Sequence, residues 1–182
     1  MYKLEDLNRE IRSSKYIACI YEGNAEKEIL ELLLENGKLK FSRDNLLEGE
    51  LIGVRSAKEF EQRYLRKGFT EQILIIRVLD SRGEKFKLSK AYQNKIKVEN
   101  IITAPEIEML VIFNEGKYAE YKKAKKKPSD YCKENLKMKN VKAKGFIKDY
   151  FSDVNTLIEA IKEYNKVSNI QKGEYTLYDL LV

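Results

Sequence analysis

Histidine is absent from this chain of 182 residues. That excludes Ser-His-Asp triads, histidine general bases and the usual His-containing zinc sites. Cysteine is nearly absent: Cys19 and Cys132 are the only two. They are far apart in unlike contexts, so neither a structural zinc site nor a disulfide scaffold is expected, and Cys19, inside an apolar run, reads as a packed thiol. Two prolines and nine glycines leave no linker of the Pro/Gly/Ser type. The apolar runs are far too short to cross a bilayer. The opening Met-Tyr-Lys-Leu-Glu-Asp lacks the core of a secretion signal. A cytoplasmic protein is expected. Catalysis, if there is any, must use carboxylates, lysines, tyrosines or a metal held by carboxylates.

Charge is abundant. Charged residues make up 35% of the chain with both signs mixed, and hydrophobic residues 43%. That balance fits a folded chain with a highly charged surface rather than a disordered tail. The length suits one domain, or one domain with a small appendage. A net charge of +6 gives a modest preference for polyanions, which alone does not point to nucleic acid.

Along the chain, Leu4 to Arg12 is a short amphipathic helix candidate and Tyr16 to Tyr21 a strand. Ala25 to Leu34 has helical periodicity through Ile29, Leu32 and Leu33, stopped by Asn36-Gly37. A short strand is expected near Leu51 to Val54. Ser56 caps an expected helix from Ala57 to about Arg66, ended by Gly68. Gln72 to Leu79 is almost continuously apolar, the pattern of a central parallel strand covered on both faces. A helix is expected between Ser89 and Ile96, a strand over Val98 to Thr103, and a helix opened by Pro105. Alternating strands and helices imply an α/β layer with a mainly parallel central sheet. After residue 115 the character changes to a lysine-rich helical extension, residues 116–182, with helices expected from Pro128, over Gly145 to Phe151 and over Ser152 to Tyr164.

Acidic residues recur where strands end. Glu22 follows the first strand, with Glu26 one helical turn on. Asp80 follows the second strand, and Glu106 and Glu108 follow the third. Ligands of open α/β sheets gather beyond the carboxyl ends of strands. Carboxylates clustered there repel one another unless a cation neutralises them, and hard oxygen donors suit Mg²⁺ or Mn²⁺. The bland readings stand beside this one. An early helical glutamate is favoured by the helix dipole, and Glu-Gly is a common turn.

The strand-Glu22-Gly23-x-x-Glu26 element, with a later apolar strand ending on Asp80, resembles the Toprim domain of topoisomerases, primases and OLD-type nucleases. The RloB-like group is the nearest in pattern, through the segment Ala104-Pro105-Glu106-Ile107-Glu108-Met109-Leu110-Val111-Ile112-Phe113 and the lysine-rich stretch after it. The resemblance covers roughly residues 14 to 130. It implies a Toprim-like layered fold and a Mg²⁺- or Mn²⁺-dependent nuclease of bacterial or phage defence, with nucleic acid as partner and an ATPase encoded beside it as a further one. Glu22 and Asp80 take the catalytic positions, and Glu22, Glu26, Asp80 and Glu84 the metal shell. The chain departs from the family's Asp-x-Asp at Asp80-Ser81-Arg82. A guanidinium repels a cation. Arg82 either binds substrate phosphate or marks a degraded site in a non-catalytic relative that binds nucleic acid or a protein.

The run Lys117 to Lys127 interleaves lysines with Tyr118 and Tyr121. Lys122, Lys123 and Lys126 are candidate substrate contacts, since basic and aromatic residues together hold phosphates and stack bases. The alternative is a solvated helix face.

Overall fold

The three apolar runs pair side by side and in parallel. The computed structural model describes residues 2–65, 71–83 and 85–182. Helix α1 (Tyr2–Ser13) leads into strand β1 (Tyr16–Tyr21), helix α2 (Asn24–Glu35) and the short helix α3 (Ala57–Phe60). Strands β2 (Ile73–Leu79) and β3 (Lys97–Ile102) follow, then helices α4 (Met109–Asn114), α5 (Tyr118–Ala124), α6 (Pro128–Glu134), α7 (Phe146–Tyr150) and α8 (Val154–Val167), and strand β4 (Glu174–Tyr175). The sheet order is β1-β2-β3-β4, with every pairing parallel. The α/β class expected from the periodicity is the observed one.

Strand β2 is buried at all seven positions. Its side chains alternate between two cores. Leu74, Ile76 and Val78 pack with Ile17 and Cys19 of β1 under α2, α4 and α8. Ile73 and Ile75 join Ala18, Ile20, Phe60, Leu65 and Leu88 on the other face. Double coverage is why the run reads as continuously apolar, and each fully buried Leu or Ile side chain contributes about 1.5–3 kcal/mol. One buried position of β2 is charged: Arg77 stacks over the Phe86 ring at 4.6 Å and donates to Asn100 Oδ1 at 3.5 Å.

Several local expectations shift. The stretch from Ser89 to Ile96 is a series of turns rather than a helix, with the Gln93 side chain bonded back to Leu88 O at 2.6 Å. Only Leu88 and Ile96 are buried there, too few anchors for so short a helix. Pro105 lies in a turn, after a cis Ala104–Pro105 bond, and the helix begins at Met109. Asp153 rather than Ser152 caps α8, accepting from Asn155 N at 2.9 Å. Ser56 does cap α3, accepting from Glu59 N at 3.2 Å, and the helix widens into a π-turn over Glu61–Leu65. Its expected end at Arg66 and Gly68 lies outside the described residues.

The stretch after residue 115 carries helices α5 to α8 joined by turns, and then β4. It closes the same core as the sheet: Phe151, Leu157 and Ile161 pack in one cluster with Ile17, Leu33 and Leu74, and β4 extends the sheet beside β3. Among the described residues no helix is long and apolar enough to cross a membrane. Cys19 and Cys132 are both buried free thiols, and burial pushes the Cys19 thiol up to about 12.

Candidate functional site

The pairing register sets the site. Tyr21 of β1 lies opposite Val78 of β2, so both strands deliver their next acidic residues, Glu22 and Asp80, to the same sheet edge. The two meet there: the Asp80 backbone N–H donates to Glu22 Oε2 at 3.3 Å. They open onto a cleft of about 260 Å³, whose wall also includes Glu26, Glu108, Arg55 and Lys142.

Glu26 sits in the first turn of α2 and is buried. Burial pushes its carboxyl up to about 7, against its own backbone N–H, and the charges of Asp80, Glu108 and Glu22 push the same way. Gly23 is what makes room for it. The Gly23 backbone is extended (φ −132°, ψ 176°), a conformation open to any residue, so a positive φ is not the reason for glycine. A Cβ there would lie 2.8 Å from Glu26 Oε2.

Glu106 and Glu108 approach from the turn before α4. Lys142 Nζ lies 3.3 Å from an oxygen of each. Burial opposes ionisation of Glu106, yet bonds from Ser129, whose N–H donates at 2.8 Å, and from Lys142 hold it below its usual value. Glu108 is deeper. Burial raises it, and its own backbone N–H and Lys142 only partly offset that. Lys142 is itself raised, since the two carboxylates outweigh its burial.

Arg82 turns away from the acids. Its Nε donates to Glu174 Oε1 at 2.8 Å and Nη2 to Asn169 O at 2.7 Å, tying the loop after β2 to β4. Lys126 pairs with Glu134 at 2.6 Å, and Lys122 lies 5.7 Å from the Tyr118 ring centroid. Lys123 is exposed. None of Arg82, Lys122, Lys123 and Lys126 lines the cleft. Tyr118 stacks on Phe113 at 4.6 Å and Tyr121 packs edge-on against Tyr131 at 5.4 Å, so both rings are engaged in packing. Glu84 lies outside the described residues.

Among the described residues no three of the aspartate, glutamate, cysteine and histidine side chains are grouped so as to hold a metal ion. The cleft wall holds Glu22 and Asp80, joined through the Asp80 backbone N–H, with Glu26 turned against Gly23 and Glu108 bonded to Lys142. That donor set fits Mg²⁺, which keeps several waters and binds through one or two carboxylates plus substrate phosphate oxygens.

Arg55 is the cleft residue that the sequence reading did not find. The segment before it lies beside β1: Ile52 N donates to Cys19 O at 2.8 Å and Tyr21 N to Ile52 O at 3.1 Å. The bridge pairs Ile52 with Ile20, and three residues further on Arg55 and Gly23 line the same cleft. The short strand expected near Leu51 to Val54 is a single bridge at Ile52, and nothing in that pattern marked Arg55 as reaching the cleft.

Comparison with family models, with curated proteins and with solved structures returned no match.

Proposed function

We propose that the protein is a Toprim-like, divalent-cation-dependent nuclease that hydrolyses nucleic-acid phosphodiesters. The observation that carries this reading is the meeting of Glu22 and Asp80 at one sheet edge, over a cleft crowded with further carboxylates. Glu26 is raised chiefly by burial, and the charges of Asp80, Glu108 and Glu22 add to the shift; a cation would relieve that added repulsion. A bound divalent cation would supply Lewis acidity toward a phosphoryl oxygen and acidify its own water. Glu22 and Asp80 would hold that cation. Above its raised value of about 7 Glu26 would add negative potential behind them, and the Gly23 turn keeps the entry to α2 free of a side chain.

The non-catalytic alternative had Arg82 in the cation's place. Arg82 is paired with Glu174 instead, which removes that ground for the alternative; the lack of a grouping of three acidic side chains among the described residues is the observation on its side. The reading takes nucleic acid as partner and places the protein in the cytoplasm. A defence role and an ATPase companion belong to it through the resemblance to RloB-like proteins alone.

The test is a nuclease assay with Mg²⁺ and with Mn²⁺ on single- and double-stranded DNA and RNA. Cation-dependent cleavage is expected, falling about 100-fold or more in Glu22→Ala, the loss of a contact worth roughly 3 kcal/mol to the transition state. Cleavage that is equal in Glu22→Ala would overturn the reading.

A further inference from the structure

Among the described residues two cations line the cleft, and they differ. Lys142 is held by Glu106 and Glu108, each at 3.3 Å, and is spent on keeping those acids charged. Arg55 is exposed at the rim and has no hydrogen bond or ion pair among the described residues. An arginine beside several carboxylates would ordinarily fold onto one of them, because a bidentate pair is among the stronger polar contacts. Here the backbone holds it apart. The pairing of Ile52 with β1 fixes the segment, and the Tyr21 ring packs over Gly53, where a Cβ would lie 2.7 Å from the Tyr21 hydroxyl. Val54 is buried, so the alternation along this segment turns Arg55 outward, into the cleft that the Gly23 turn also lines.

We infer that Arg55 is the substrate-phosphate residue of the cleft, and that the cleft takes a nucleic-acid strand by its sugar-phosphate backbone without reading its bases. The inference rests on the nuclease reading above. A guanidinium lining the same cleft as the Glu22–Asp80 pair would let a phosphate bridge a fork of donors and the cation's place, the arrangement that phosphoryl transfer requires. Among the described residues no aromatic side chain lines the cleft, so stacking, the main source of base contact with a single strand, has no platform there. Contacts to phosphate and sugar position a strand but carry no sequence information.

The test measures binding of fluorescent oligonucleotides of equal length, one oligo-dT, one oligo-dA and one abasic. Ca²⁺ replaces Mg²⁺ so that binding is separated from cleavage. Wild type, Arg55→Gln and Arg55→Lys are compared across a salt series, with thermal melts to confirm folding. The wild type should bind all three strands within about threefold of one another. Arg55→Gln should weaken binding about tenfold or more and flatten the log–log salt dependence by about 0.7, with Arg55→Lys recovering part of the loss. Unchanged affinity and salt slope in folded Arg55→Gln would overturn the role of Arg55, while cleavage in Mg²⁺ by wild type would leave the nuclease reading intact. Binding that depends on Arg55 in a protein that cleaves nothing would support Arg55 and sink the nuclease reading. A preference above tenfold for one base over the abasic strand would overturn backbone recognition. No binding by wild type to any strand would overturn both.

Discussion

Glu26 shows how one side chain can report on a site. Its carboxyl is raised to about 7 in the folded protein, chiefly by burial, from 4.5 when exposed. Below pH 4.5 both folded and unfolded forms are protonated and burial carries no ionisation cost. Between 4.5 and 7 the unfolded chain gives up the proton that the folded one keeps, so stability falls as pH rises, and above 7 the loss is complete, on the order of 3 kcal/mol. With divalent cations chelated, Glu26→Gln should remove this dependence and be more stable than wild type at pH 8. Denaturant melts at pH 5 and pH 8 check it, and parallel pH profiles for the two proteins would contradict the assigned cause. Gly23→Ala should destabilise by about 1–2 kcal/mol, since the new Cβ must displace the Glu26 carboxylate; a melt equal to wild type would mean the carboxylate moves freely. Glu22, Glu26 and Asp80 were legible in the sequence because each follows an apolar run or opens a helix. Arg55 was not, because a single bridge beside β1 leaves no periodicity. The isolation of Arg82 was hidden too, since its partner Glu174 is 92 residues away.

At the scale of elements, the strands were the readable part and the connections were not. A strand covered on both faces writes itself as an unbroken apolar run, as Ile73 to Leu79 does. A connection held by side-chain bonds to backbone, such as Gln93 to Leu88 O, writes nothing. Strand β4 is two residues long and takes its place from the pairing of Asn100 with Glu174 and Ile101 with Tyr175, beyond the reach of local pattern. The segment carrying Arg55 depends on one close contact between elements. Gly53→Ala should push the Tyr21 ring away and loosen the pairing with β1. The expected loss is about 1–3 kcal/mol of stability, with weaker oligonucleotide binding as Arg55 loses its placement. Stability and binding both equal to wild type would show that the segment is held by something else.

At the scale of the whole molecule, the lysine-rich stretch is part of the structure that holds the site. Lys142 reaches the cleft acids, and the Gly145 and Ile147 N–H groups donate to the buried Glu28 carboxylate of α2 at 2.6 and 3.1 Å. A fragment of residues 1–115 should therefore fail to fold cooperatively, because Leu33, Leu74 and Leu110 would lose the side chains of α7 and α8 that cover them; a sharp melt of that fragment would show an independent domain. The most direct test of the account is Mn²⁺ binding followed by electron paramagnetic resonance. Wild type should show a saturable site that is lost in Glu22→Gln and in Asp80→Asn, and kept in Arg82→Ala and in a Lys122, Lys123 and Lys126 triple glutamine variant. A titration unchanged by Glu22→Gln and Asp80→Asn, or the absence of a saturable site in wild type, would contradict the claim that this sheet edge holds a cation.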